Sequence, residues 1–349
     1  MNAKTVELLR KVAAYTMNAD ERNLEQNWTT SRLREWQWGQ GVALYGLVQT
    51  YEALQDDGVI AFIRRWVDAH LDAGVIGKSI NTTAPLLAVI KLWELTGETR
   101  YAAICDEFAD WCLAEAPRAD EGAFEHSCTE NAYPQEIWAD TLFMGGIFLA
   151  RWGVLRQRQA YVKEAARQFI LHYRYLADDR SGLIHHGYYG KERARKGVLW
   201  GRGNGWFAAA GADVLPLVSN LANYETLRQN IVGHLEGVKR AQHESGAWHT
   251  VMDDWQTYPE MSATAAFAYA MNKGVQGGWV DPSDRSYAVK AINRLAASID
   301  EDGLVNHGSG GTCVMADSRD YHAIPYTFSY FAQGLTLMAL CSELGSDSG

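Results

Sequence analysis

The chain has 349 residues, 47% of them hydrophobic, only 7 prolines and a formal net charge of −10. That apolar fraction suffices for one large core, and the acidic balance argues against nucleic acid or an anionic membrane surface as partner. The five cysteines, Cys105, Cys112, Cys128, Cys313 and Cys341, form no CxxC pair. They indicate neither a disulfide framework nor a zinc site, and they fit a reducing compartment.

The opening segment, MNAKTVELLRKVAAYTMN, carries its apolar residues at helical spacing and lacks the unbroken apolar run of a signal peptide. No apolar stretch nears the roughly 20 residues of a membrane span. Both features lead us to expect a cytoplasmic protein. Helical periodicity then recurs along the whole length, predicting twelve helices near residues 3–18, 37–54, 58–72, 82–96, 99–115, 135–155, 159–176, 202–219, 224–241, 260–274, 284–298 and 325–343. Every second one is apolar nearly all round, as in GVALYGLVQTYEAL and YTFSYFAQGLTLMAL, which marks a buried helix. The alternate ones are one-sided: in 58–72, Val59, Ile63, Trp66, Val67 and His70 share a face, while Arg64, Arg65 and Asp68 lie opposite.

The apolar helices start near Gly39, Ala84, Asp140, Gly203, Ser262 and Tyr326, in steps of 45, 56, 63, 59 and 64 residues. Six helix pairs at one rough period predict an all-α, closed (α/α)6 toroid, a six-hairpin barrel forming a single domain over 1–349. Turns leaving the apolar helices are short and polar, whereas most segments entering them are long, notably 116–134, 177–201, 242–259 and 299–324. Loops of that length in a compact domain are usually functional. They place a pocket at the N-terminal ends of the inner helices, whose partial positive charge suits an anionic ligand.

Candidate chemistry gathers in those segments. Asp140, in YPQEIWADTLFMGG, is expected early in an inner helix between Trp138 and Phe143, where desolvation would raise its pKa and suit it to general-acid work. In WGRGNGW (200–206), three glycines would let backbone approach a ligand, Trp200 and Trp206 offer flat apolar faces, and Arg202 offers a planar fork for a carboxylate. An Arg stacked structurally between the two Trp residues is the competing reading. His185 and His186 in LIHHGYYG could hold a substrate oxygen or relay a proton. Trp36, Trp38, His322 and Tyr326 are read as rim aromatics and donors. HESGAWHTVMDD (243–254) lacks metal-ligand spacing, so no metal and no cofactor are expected.

At these residues the sequence resembles the unsaturated glucuronyl and rhamnogalacturonyl hydrolases of glycoside hydrolase families 88 and 105, family 105 the nearer. The resemblance runs from QWGQGVALYGL (37–47) through WADTLFMGG and WGRGNGW to YPEMSATAAFAYAMNKGV (258–275). It implies an (α/α)6 toroid acting on a lyase-generated oligosaccharide whose non-reducing end is a C4=C5 unsaturated uronic acid. An Asp protonates C4, water adds at C5, and the resulting hemiketal opens and expels the aglycone. By resemblance Asp140 is the proton donor; His186, Trp200, Arg202 and Trp206 fall on substrate-binding positions, with Arg202 facing the uronate carboxylate.

One departure stands out. The family carries a second Asp at the start of the second inner helix, where this chain reads KSINTTAPLLAV and offers Asn81. Asn81 is therefore expected to bind sugar hydroxyls while Asp140 alone moves protons. Two alternatives remain open at this point: an inverting glycosidase pairing Asp140 with Glu136, Asp254 or Glu260, and a sugar-binding protein without turnover.

Overall fold

The computed structural model describes residues 3–22 and 32–346. Its α-helices are α1 (Ala3–Asn18), α2 (Trp38–Leu54), α3 (Asp57–Ala73), α4 (Leu86–Thr96), α5 (Thr99–Ala114), α6 (Ile147–Leu155), α7 (Gln159–Leu176), α8 (Gly201–Val214), α9 (Tyr224–Arg240), α10 (Met261–Gln276), α11 (Arg285–Ala296), α12 (Ser318–His322) and α13 (Tyr330–Ser346). Three short strands, β1 (Glu136–Trp138), β2 (Gly187–Tyr189) and β3 (Ala194–Lys196), form one antiparallel sheet in that order. None of the described helices is long and apolar enough to cross a membrane.

Helices α2, α4, α6, α8, α10 and α13 each pack against the next, and α13 packs back on α2, which closes a ring. The one-sided helices lie outside it: α3, α5, α7, α9 and α11 each pack on the inner helix before them, and α1 covers α13. The first helix of the chain is thus the outer partner of the last, so the toroid closes with its ends side by side. This is the all-α toroid that the alternating apolar rhythm predicts.

Closure depends on small residues where inner helices meet. A Cβ on Gly46 would lie 2.5 Å from the Gly334 carbonyl oxygen, and one on Gly334 would lie 2.4 Å from the Val42 oxygen. The first three glycines of α8 are also closely packed, Gly205 against α10 and the other two against loop and ring atoms. A Cβ at Gly201 would meet the His249 carbonyl at 2.5 Å, one at Gly203 the Trp200 ring at 2.9 Å, and one at Gly205 the Ala266 Cβ at 2.9 Å. Their reading as a place where a ligand approaches is corrected: protein neighbours fill that space.

Several boundaries also differ from the predicted ones. Residues 135–155 do not form one helix. Ile137 and Trp138 lie in β1, paired to Tyr188 and Gly187, and the chain enters α6 through a π-helical turn, Leu142–Gly146. The Asp140 carbonyl accepts from both Phe143 N–H (3.1 Å) and Met144 N–H (3.2 Å), so this loosened turn begins immediately behind the Asp140 side chain. π-Turns of this kind recur at functional sites. The last inner helix begins at Tyr330 rather than near 325, and the predicted 299–324 loop carries α12, started by an Asp317–Asp320 capping box.

Candidate active site

The N-terminal ends of the inner helices open on a cavity of about 350 Å³. Trp38 enters it from the first residue of α2, Asn81 from the turn before α4, Asp140 from the turn before α6, and Trp200 and Arg202 from the start of α8. His126, Tyr133 and Trp138 line one wall, and Gly311, Thr312, Cys313 and Met315 from the loop before α12 line another. Stacked aromatics stiffen this end. Trp38 lies flat on Phe331 (4.9 Å, 18°), and Trp138 lies flat on His126 (4.4 Å, 7°) with its Nε1–H donated to Glu136 Oε2 at 2.8 Å.

Asp140 is 9% exposed, the one carboxylate in the cavity wall apart from Glu130 among the described residues. Its Oδ2 stands 3.4 Å from His186 Nε2. Burial pushes its pKa upward, but His186, His126 and Arg202 outweigh that and hold it below the ordinary carboxylate value. The upward shift expected from desolvation alone is therefore corrected: three neighbours favour the anion. Both histidines are themselves driven toward neutrality by burial, His126 down to about 4. A second carboxylate brought in by a ligand would oppose the trend and favour protonated Asp140.

Arg202 is buried between the rings of Trp200 and Phe331, its guanidinium carbon 4.6 Å from each centroid. Its planar fork is engaged within the protein: Nη1 donates to Ser309 Oγ (2.6 Å) and the Ser309 carbonyl (3.1 Å), Nη2 donates to the Gly310 carbonyl (2.5 Å), and Glu260 stands 3.5 Å away. The arginine is thus stacked, with Phe331 rather than Trp206 as the second ring, and both Nη atoms hold the protein's own loop, so that of the expected grip on a carboxylate the Nε edge is what stays unengaged. Its Nε–H alone lacks a partner. Asn81 Oδ1 and Trp200 Nε1 are likewise buried without a hydrogen-bond partner, and Asp140 Oδ2 and His186 Nε2 have only each other, at 3.4 Å. Orphaned polar atoms are costly in a closed interior. Clustered at one cavity, they are the groups a polyhydroxylated ligand would satisfy.

The remaining sequence candidates divide cleanly. Trp38, Asn81, Trp138, Asp140, Trp200 and Arg202 line the cavity. His186 and Trp206 sit directly behind it, fully buried, Trp206 edge-on to Trp38 at 6.2 Å. His322 stands apart at the exposed end of α12, packed on Tyr258 at 5.4 Å, and Trp36 is a core residue stacked on Trp66. The partners considered for a two-carboxylate mechanism do not reach the cavity. Glu260 caps α10 and holds Ser262 and Ser309, Glu136 holds the Trp138 indole, and Asp254 accepts from Ser318. The sequence marks the 116–134 and 299–324 loops as rim segments but does not single out His126, Tyr133, Tyr321 or residues 309–315 within them. The described residues contain no cluster of three or more His, Cys, Asp or Glu able to hold a metal.

A toroid of six helix hairpins with a buried carboxylate in an aromatic-walled cavity defines a glycosidase of the α/α-toroid class. The model of Glycosyl Hydrolase Family 88 matches residues 8–345, and the chain belongs to that family. It is 34% identical over 314 residues to the unsaturated rhamnogalacturonyl hydrolase YesR of Bacillus subtilis, covering 88% of this chain and 90% of that protein. A crystal structure of a possible family 105 member from Klebsiella pneumoniae superposes with a TM-score of 0.93 at 31% identity, over 99% of this chain and 94% of that one. The unsaturated glucuronyl hydrolase of Bacillus sp. GL1, at 16% identity and a TM-score of 0.77 over 97% of this chain and 96% of that one, shares the fold.

Proposed function

We propose that this enzyme removes the 4,5-unsaturated uronic acid from the non-reducing end of lyase-generated oligosaccharides, an unsaturated rhamnogalacturonan disaccharide foremost, by hydrating the C4=C5 vinyl ether. The observation that carries this reading is Asp140: the one buried carboxylate of the cavity wall among the described residues, at the start of an inner helix, with the other lining carboxylate, Glu130, exposed to solvent. A vinyl ether needs one acid to protonate C4 and one water at C5, whereas an ordinary inverting cleavage needs an acid and a separate base. The uronate carboxylate meets a site whose helix ends and Arg202 supply positive potential, and its charge raises the Asp140 pKa into a protonated, donating state. Once C4 has taken the proton, the Asp140 carboxylate accepts one from the water adding at C5.

Trp38, Trp138 and Trp200 give the sugar rings flat walls, and Asn81 Oδ1 accepts a sugar hydroxyl. Arg202 acts by charge and by holding the 309–310 backbone in place. The enzyme works in the cytoplasm on short imported products, with neither metal nor cofactor. The test is the ultraviolet absorbance of the C4=C5 chromophore in an unsaturated rhamnogalacturonan disaccharide. The wild type should bleach it, and Asp140→Asn should be slower by about 10²–10⁴-fold, the usual share of a general acid. A flat trace with the wild type, on this and on unsaturated glucuronyl substrates, would refute the reading.

A further inference from the structure

His186 is held on every side. Its backbone N–H donates to the Val198 carbonyl (3.1 Å), its own carbonyl accepts from Ala139 N–H (3.0 Å), and its ring packs 4.1 Å from the Trp200 centroid. Nε2 faces Asp140 Oδ2 at 3.4 Å, and Nδ1 lies 2.6 Å from the Tyr321 hydroxyl. The Tyr321 oxygen also accepts the backbone N–H of Met315 at 3.1 Å. Tyr321 is fully buried, and room for its hydroxyl is made at Gly197, where a Cβ would lie 2.7 Å from that oxygen.

Among the described residues these contacts give the phenol proton one acceptor, and that sets the hydrogen-bond arrangement. A phenol has one proton to give. Its oxygen already receives a donor from Met315, and His186 Nδ1 is the acceptor within hydrogen-bond reach of it among the described residues. The O–H therefore points at Nδ1. With Nδ1 accepting, the proton of a neutral imidazole sits on Nε2, facing Asp140.

We propose that Tyr321 is a positioning residue for the reaction: its hydroxyl locks His186 in the Nε2–H tautomer, so that Asp140 Oδ2 accepts from His186 and Oδ1 is the oxygen that carries the proton to substrate C4. No proton travels along the chain of contacts. Asp140 gives its proton to C4, His186 keeps its own, and Tyr321 keeps its own. This assignment rests on the function proposed above. It also ties Met315, in the cavity wall, to His186 through two hydrogen bonds and, through the His186–Asp140 contact, to the acid.

Tyr321→Phe keeps the ring and removes the lock. His186 can then place its proton on Nδ1, which turns the Nε2 lone pair toward Asp140. The groups facing Asp140 are His186, His126 and Arg202, with Glu260 behind Arg202; only His186 changes. A carboxylate that loses a donor gains pKa. The basic limb of kcat/KM for the unsaturated disaccharide should accordingly move up, on the order of half a pH unit or more. At the same time kcat should fall by about 10-fold or more with KM little changed, because the acid's proton is now drawn toward His186. Long-range proton–nitrogen spectra of histidine-labelled protein should show His186 as Nε2–H in the wild type and as a tautomer mixture in the variant, whose melting temperature is checked alongside.

An unmoved basic limb, equal losses in kcat and 1/KM, or an unchanged His186 tautomer would each overturn the proposal. A wild type with the lock intact that leaves the disaccharide unconsumed would instead refute the proposed function alone, since the tautomer is read without substrate.

Discussion

Arg202 and Glu260 face each other at 3.5 Å with 1% and 0% of their side-chain surface exposed, so the starts of α8 and α10 share a fully buried ion pair. Both partners reach further. Glu260 accepts from Ala263 N–H at the start of α10 and from Ser309 N–H, while Arg202 holds the Ser309 and Gly310 carbonyls. The pair therefore clamps the loop that forms one wall of the cavity. It also explains why the Nη atoms of Arg202, the single Lys or Arg side chain lining the cavity among the described residues, are turned to the protein's own loop.

Breaking this pair from one side should be severe. Glu260→Gln leaves a buried guanidinium without its counter-charge, and such a loss costs about 3–5 kcal/mol. Replacing both partners together, as Arg202→Met with Glu260→Gln, removes the uncompensated charge and should recover much of the stability. Urea midpoints of the two single variants and the double variant check this. Additive losses would mean that the two side chains do not act as a pair.

Asn81 presents a buried, unpartnered Oδ1 to the cavity, with its backbone N–H fixed by the Ser127 carbonyl at 3.0 Å. Asn81→Ala should raise KM by about 3–10-fold, the worth of one neutral hydrogen bond, with little change in kcat. Asn81→Asp adds a negative charge to the same cavity as Asp140. A like charge raises a carboxylate's pKa, so the basic limb of kcat/KM should move to higher pH. Steady-state kinetics across pH measures both. A large kcat loss in Asn81→Ala would give Asn81 a part in the chemistry itself.

How far the site was legible follows from what carries each part of it. The ring could be read because inner helices must be apolar all round and outer ones on one side only, a pattern that survives without coordinates. Asp140, Trp38, Trp200 and Asn81 could be placed because each sits at a helix start, and helix starts share one end of a toroid. Tyr321 and His126 could not. Their positions depend on how the 116–134 and 299–324 loops return across the helix ends, and no periodicity encodes that path. The engaged fork of Arg202 was hidden for the same reason, since its partners Ser309 and Gly310 lie more than a hundred residues downstream. Residues 135–138 read as helix because their spacing suits one. Pairing with β2, some fifty residues away, overrides that local preference.

Ring closure offers a prediction about stability alone. Gly334 on α13 approaches α2 so closely that a methyl group there would sit 2.4 Å from the Val42 carbonyl oxygen and 2.8 Å from Ala43 Cα. Backbone cannot yield as a side-chain tip can. Gly334→Ala should therefore destabilise the protein by about 1–3 kcal/mol or more through overpacking, despite alanine's better helix propensity. Gly58→Ala on the exposed start of α3, where the nearest contact is a side-chain oxygen at 3.1 Å, serves as the control and should cost far less. Thermal melts of the two variants decide it; equal shifts would show that the α2–α13 seam has slack.

Acid should weaken the fold before its carboxylates begin to protonate. His126, His172 and His234 are fully buried, and burial lowers their pKa values to about 4, about 4 and about 3. In the unfolded chain the same groups titrate at about 6.5. Between those values the unfolded chain binds more protons than the native one, so stability is fully present above about pH 6.5 and is lost as the pH falls toward 4, by up to about 1.4 kcal/mol per unit for each histidine. Carboxylates held below their ordinary value, such as Glu164, add their loss only at lower pH. Urea midpoints measured from neutral pH down through this window should fall steadily. His234 donates Nε2–H to Asn204 Oδ1 at 3.0 Å, and glutamine keeps an N–H donor without the titration. His234→Gln should thus flatten the slope, whatever it does to the midpoint at neutral pH. A slope identical to wild type would mean that His234 does not titrate on unfolding.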